Sequence, residues 1–324
     1  MSPFSTPLLL STLLALAGCA FSPPYVADPQ PLEPGRLPQP DTALNVPNLR
    51  PCTDSPDSTL HVNANHPVTV LVHGCNGSAG RFRSLAQLYA FHGQQAVCFS
   101  YDDRDSLVRS SGQLITALDA LSSRMPKQDI TVMGHSMGGL VARKAMERDR
   151  SDAWRRHDTN ISLATVSAPL AGIRAAEQCG YKALHWLSLG VVPAACWLVT
   201  GDNWSEINAS SDFIQRPGPL LPSVRRYLKV VTDERDTCRR RSSNGTCIES
   251  DYIFSQAEQY HPVIDSYAQL VNVEVQAGHV EIVGDKEVVP RKLLAILQQQ
   301  GLLAATPPER QAAFERLLAQ VYGQ

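Results

Sequence analysis

Strong charge of either sign is missing from this chain of 324 residues, in which 29 Lys plus Arg face 31 Asp plus Glu for a formal net charge of −2. A polyanion partner calls for a concentrated basic surface. The one run of three basic residues, Arg239-Arg240-Arg241, reads as a solvated loop, so nucleic acid is excluded as a partner. Metal-ligand spacing is missing too. Eight cysteines and nine histidines include no C-x-x-C pair and no His/Cys cluster, so neither a metal nor a cofactor is expected. Glu281 and Asp236, weighed as a Ca²⁺ pair, read instead as solvated or paired carboxylates. Near the N-terminus, the apolar stretch 8–17 is too short to cross a bilayer and has the length of a signal h-region, although residues 1–7 lack Lys and Arg.

What is present is concentrated in Ile130-Thr131-Val132-Met133-Gly134-His135-Ser136-Met137-Gly138-Gly139-Leu140-Val141-Ala142-Arg143. A bare G-x-S-x-G arises by chance in roughly one chain in ten of this length. Here an apolar strand pattern precedes it and an amphipathic helix pattern follows it, the context a nucleophile elbow requires. Such a turn presents Ser136 outward in strained backbone geometry, and Gly134 and Gly138 are needed because side chains there would meet the crossing strand and helix. Upstream, Pro67-Val68-Thr69-Val70-Leu71-Val72-His73-Gly74-Cys75-Asn76-Gly77 is a continuous apolar run suited to a strand buried on both faces, with a glycine-bearing exit.

With these motifs the sequence resembles the α/β-hydrolase superfamily, and within it bacterial lipases and the esterase domain of GPI inositol-deacylases. The resemblance covers roughly residues 65–300. It implies an α/β-hydrolase fold: a mostly parallel sheet flanked by helices, with a cap or lid insertion. It also implies that the N–H groups of Cys75 and Met137 form the oxyanion hole, a pair in which losing one donor costs roughly 3 kcal/mol. Triad order in the family is Ser, then Asp or Glu, then His. His279 stands in the family position, after the alternating strand pattern 271–275 and before a helical pattern at 292–297, and is the expected base. For the acid, Asp251-Tyr252-Ile253-Phe254 resembles the lipase segment Asp-Gly-x-Val, with Tyr252 in place of glycine, and Asp251 is preferred. Asp236 and Asp233, after the strand pattern 227–232, stand behind it at the place a generic member of the fold carries its acid.

Leu16-Ala17-Gly18-Cys19 resembles the bacterial lipobox, which implies cleavage before Cys19, its acylation, and stable membrane anchoring. Ala20 in the next position implies the outer membrane of a Gram-negative envelope. The organisation expected is a signal peptide over 1–18, a proline-rich tether over 19–60 and a catalytic domain over 61–324, with the cap at about 170–224. That cap holds Trp186, Trp197 and Trp204 among leucines and valines, an apolar lining suited to acyl chains. In an oxidising compartment, Cys238 pairs with Cys247 and Cys179 with Cys196, while Cys52, Cys75 and Cys98 supply one further pair, with Cys52–Cys98 preferred.

The expected function is a membrane-anchored serine hydrolase cleaving carboxylic esters of acyl or lipid-like character. An amidase, thioesterase or acyltransferase would use the same residues. A binding protein built on a hydrolase scaffold is the alternative from another class.

Overall fold

The computed structural model describes residues 42–125, 127–148, 159–174, 201–285 and 288–323. The segment 1–18 expected as a signal peptide, Cys19, the part of the expected tether up to residue 41, Cys179, Cys196, Trp186 and Trp197 lie outside them. Alternation of side-chain direction along each strand dictates the layers. Among the described residues the strands in chain order are β1 (Thr42–Leu44), β2 (Leu49–Arg50), β3 (Leu60–Val62), β4 (Val68–Val72), β5 (Gln95–Phe99), β6 (Ile130–His135), β7 (Ile161–Val166), β8 (Val224–Asp233), β9 (Cys238–Arg241), β10 (Cys247–Ser250) and β11 (Leu270–Gln276). Seven of them form one sheet in the order β11-β8-β7-β6-β4-β5-β2. All its pairings are parallel except that of the edge strand β2 with β5.

Every residue of β4 is buried, as its unbroken apolar run requires of a strand covered on both faces. Val70 and Val72 point into one core together with Val97, Phe99, Val132 and Leu163. Their neighbours Leu71, Cys98, Met133, Ala164, Leu228 and Val230 point into the other. The first core is closed by helices α2 (Leu107–Arg124) and α3 (Met137–Ala145); the second by α1 (Arg83–Phe91), α4 (Arg291–Gln299) and α5 (Gln311–Val321). Helix α2 begins where Ser106 caps it, its hydroxyl accepting from the Arg109 N–H at 3.3 Å. Glu206 adds a carboxylate at the same helix start, taking the Ser106 hydroxyl at 2.8 Å and the Leu107 N–H.

The α/β-hydrolase fold anticipated above is therefore the fold present, with helix and strand limits within a few residues of the sequence pattern. The expected tether is the exception. Residues 42–60 are not a free linker: β1 pairs with β3, β2 adds to the sheet edge, and Leu44, Val46, Leu49 and Leu60 are buried. The Cys52–Cys98 disulfide fixes this arm to β5. The folded domain thus begins by Thr42 rather than residue 61. Proline and extended backbone serve an edge strand as well as a tether, and the small apolar anchors decide between them. The Cys238–Cys247 disulfide closes the β9–β10 hairpin, and Cys75 takes part in no disulfide.

Candidate active site

The turn between β6 and α3 carries Ser136 at φ 56° and ψ −129°, the left-handed side of backbone space that a serine enters only under constraint. Its N–H is tied to the Val166 carbonyl at 2.9 Å and its carbonyl accepts from Gly139 N–H at 2.9 Å. Any Cβ on Gly134 would collide with the Gly138 carbonyl, and one on Gly138 would collide with the carbonyls of Val72 and His73. Strand, turn and helix cross at van der Waals distance only because both residues are glycine. On the facing loop, a Cβ on Gly74 would sit 2.8 Å from Ser136 Cβ, so the β4 exit lies directly against the serine. Met137 is the first residue of α3, where a helical N–H has no acceptor within the helix.

His279 reaches this serine from the end of β11. Its Nε2 lies 3.0 Å from Ser136 Oγ. Its Nδ1 lies 2.9 Å from Glu234 Oε1 and 3.0 Å from Ser167 Oγ. A hydrogen on Nδ1 satisfies this pair of acceptors and leaves Nε2 free to accept the Ser136 proton, the tautomer a general base needs. Phe254 packs edge-on against the imidazole at 4.8 Å between centroids. His135 stands behind it, its Nε2–H donating to the His279 carbonyl at 2.8 Å. Burial, reinforced by the charge of His279, pushes the His135 imidazole well below its ordinary value, so it serves as a neutral donor.

The carboxylate beside the imidazole is Glu234, not Asp251. Glu234 is 1 % exposed. Its second oxygen accepts the Ile253 N–H at 2.7 Å and the Phe254 N–H at 3.1 Å. Burial works to raise this carboxyl, but the hydrogen bond and charge of His279, with the Ile253 N–H and the Ser167 hydroxyl, hold it below the usual glutamate value. Asp251, expected as the acid, spends both carboxylate oxygens on the backbone N–H groups of Val280 and Glu281. Asp233 pairs with the Arg235 guanidinium, and Asp236 occupies a left-handed turn position at φ 60°. The signal for Glu234 is phase: Val230, Thr232 and Glu234 alternate on one side of β8 and its continuation, and all are buried.

Ser167 is the other unanticipated member. It is fully buried at φ 46° and places its hydroxyl 2.7 Å from Thr232 Oγ1 and 2.8 Å from Glu234 Oε1. On the loop after β4, His73 stacks on Tyr101 at 4.5 Å, and Tyr101 donates its hydroxyl to the His73 carbonyl at 2.7 Å. Asp103 accepts the Asn76 N–H, and burial pushes its carboxyl upward. His73 is thus part of the loop's framework. Among the described residues no group of three or more His, Cys, Asp or Glu is arranged to hold a metal ion, and Glu281 is paired with Lys292 at 2.6 Å.

Residues 58–170 match the sequence profile of a family described as "Alpha/beta hydrolase of unknown function (DUF900)". No curated protein matches the chain in sequence. Among solved structures, the propeptide form of a Bacillus licheniformis lipase is similar at a TM-score of 0.51 and 15% identity, over 80% of this chain and 53% of that one. Its mature form aligns at 0.47 and 16% identity, over 77% of this chain and 95% of that one. An esterase of Pyrococcus furiosus aligns at 0.48 and 14% identity, over 88% of this chain and 100% of that one. Likeness at this level of identity concerns the fold.

Proposed function

We propose that the chain is a serine hydrolase of carboxylic esters whose nucleophile, base and acid are Ser136, His279 and Glu234. One observation carries the reading: Ser136 Oγ, on a strained elbow, lies 3.0 Å from an imidazole whose other nitrogen is 2.9 Å from a buried carboxylate. Ser136 attacks the ester carbonyl as His279 Nε2 takes its proton. Glu234 keeps the imidazole in the required tautomer and stabilises the imidazolium without itself becoming protonated. The Met137 and Cys75 N–H groups receive the negative oxygen of the tetrahedral intermediate. The proton then passes from His279 to the departing alkoxide, and water, activated by the same imidazole, releases the acid from the acyl-enzyme.

Acyl or lipid-like esters are the proposed substrates, supported by the apolar composition of the segment 170–224. The lipobox at Cys19 supports a lipid-anchored protein of the bacterial envelope, at the outer membrane. The test treats the full chain in detergent with a fluorescent fluorophosphonate, beside Ser136→Ala, and measures turnover of p-nitrophenyl esters of graded chain length. Labelling and turnover that both vanish in the variant support the assignment. A folded wild-type protein that neither labels nor turns over any ester refutes it. Metabolic labelling with palmitate, compared between wild type and Cys19→Ala, tests the anchor.

A further inference from the structure

We infer that Asp251 is a positioning residue for His279, holding the imidazole in register through the backbone of residues 278–281; the inference rests on the reading of Ser136 and His279 as nucleophile and base. The loop after β11 carries a series of backbone donors, and each has a partner. Ala277 N–H donates to the Asp233 carbonyl at 3.1 Å and Gly278 N–H to Glu281 Oε2 at 2.9 Å. The next three all go to Asp251. His279 N–H donates to its carbonyl at 2.9 Å. Val280 N–H lies 3.0 and 3.1 Å from its two carboxylate oxygens, and Glu281 N–H lies 2.9 Å from Oδ2.

One residue therefore grips the peptide groups on both sides of the His279 side chain. Gly278 permits that grip, since a Cβ there would collide with the Asp251 carboxylate. Asp251 is 2 % exposed, and burying a carboxylate is expensive unless hydrogen bonds replace its water. Here the replacement comes entirely from the loop that bears the base. The far side of Asp251 is fixed as well: its N–H reaches the Thr237 carbonyl at 3.4 Å, and two residues later Ile253 and Phe254 begin the contacts to Glu234. Segment 251–254 thus sets the separation between the acid loop and the base loop. Displacing a reacting group by about 1 Å can cost on the order of 100-fold in rate, so a residue that never touches substrate can govern turnover.

Burial pushes the Asp251 carboxyl above the usual aspartate value, against the pull of the Glu281 and Val280 N–H groups and of the charges on His279 and Arg239. The loop amides should report that titration directly. The experiment uses the full chain in detergent with Asp251→Asn and Gly278→Ala, Glu234→Gln as comparator and Asp236→Asn as control. Asp251→Asn turns an N–H donor toward donors, and Gly278→Ala pushes on the same contact from the other side.

Both are expected to lower kcat and the fluorophosphonate labelling rate by about 10- to 100-fold, with KM within about threefold. Asp236→Asn leaves both unchanged, and Glu234→Gln falls further, by about 10³- to 10⁴-fold. In wild type, the Val280 and Glu281 amide proton shifts titrate together with a midpoint above about 3.9. Unchanged kcat in both loop variants overturns the inference. So does a loss in Asp251→Asn as deep as in Glu234→Gln, which would make Asp251 the acid itself. Should both loop variants fail to fold, the amide titration decides, and amides indifferent to pH overturn it. A wild type that does not label sinks the hydrolase reading while leaving the amide titration to judge the loop contact.

Discussion

Glu234 and His279, 45 residues apart in sequence, meet at 2.9 Å just beyond the ends of two strands, β8 and β11, that lie side by side in the sheet. Parallel pairing of these neighbours brings both exits to the same rim, opposite the serine that β6 delivers. Removing the charge while keeping the shape isolates this contact. Glu234→Gln should lower kcat by about 10³- to 10⁴-fold with little change in KM, as expected when a triad loses control of its tautomer. Steady-state kinetics on a soluble ester checks it.

The same carboxyl carries a stability signature. Glu234 is held below the usual glutamate value in the fold, whereas an unfolded glutamate titrates at about 4.3. Its contribution is complete above that unfolded value and is lost as pH falls through the lower, folded value. Thermal melts of wild type and Glu234→Gln should differ most near neutral pH and converge in acid. A gap that widens in acid would contradict the assignment.

Gly134→Ala should destabilise the domain by about 3 kcal/mol, the upper end for overpacking. The obstructing atom is the Gly138 carbonyl, backbone rather than a side chain that can turn aside. Urea unfolding followed by tryptophan fluorescence measures it, and a variant as stable as wild type would mean the elbow is looser than described.

The two disulfides should differ in what their loss does. Cys52–Cys98 spans 46 residues and Cys238–Cys247 spans 9, so the chain-entropy estimate gives about 4 and about 3 kcal/mol. Replacing both cysteines of the longer loop by alanine should therefore lower the unfolding free energy more, while the shorter one, adjoining Asp251, should lower kcat more. Equal kinetic effects would show that the hairpin does not communicate with the site.

Away from the chemistry, Arg143 and Glu147 form a buried ion pair at 2.5 Å on α3 and its exit, with the Arg143 guanidinium also donating to Tyr267 Oη at 2.7 Å and to the Gly218 carbonyl at 2.5 Å. Glu147→Ala leaves that guanidinium without its counter-charge and should cost about 3–5 kcal/mol. The double variant Arg143→Met/Glu147→Leu should recover most of the loss. Denaturant midpoints compare the three proteins, and a double variant as weak as the single one would show that packing rather than unpaired charge is at fault.

Much of the architecture was legible because it is written locally. The apolar run at β4, the strand–glycine–serine–glycine–helix order at Ser136, and the alternating pattern before His279 each identify an element from its own residues. Glu234 was not legible in that way. Asp233, Glu234 and Asp236 stand together at the end of β8, and only the phase of that strand against β11 decides which carboxylate faces the imidazole. Asp251 stands in a lipase-like segment, yet three-dimensional neighbours give its oxygens to peptide N–H groups. For residues 42–60, proline content points to a linker, while Leu44, Leu49 and Cys52 hold the information that the arm is folded.

Among the described residues β11 is bonded along one side only, to β8. A strand held by a single ladder opens at lower free energy than one held by two, and His279 hangs three residues beyond its last paired position. Partial opening of that margin separates His279 from Ser136 while the interior strands stay intact. Under mild denaturant, the proposed ester hydrolysis should fade before global unfolding begins, so that an activity curve and a fluorescence curve recorded on one sample part company.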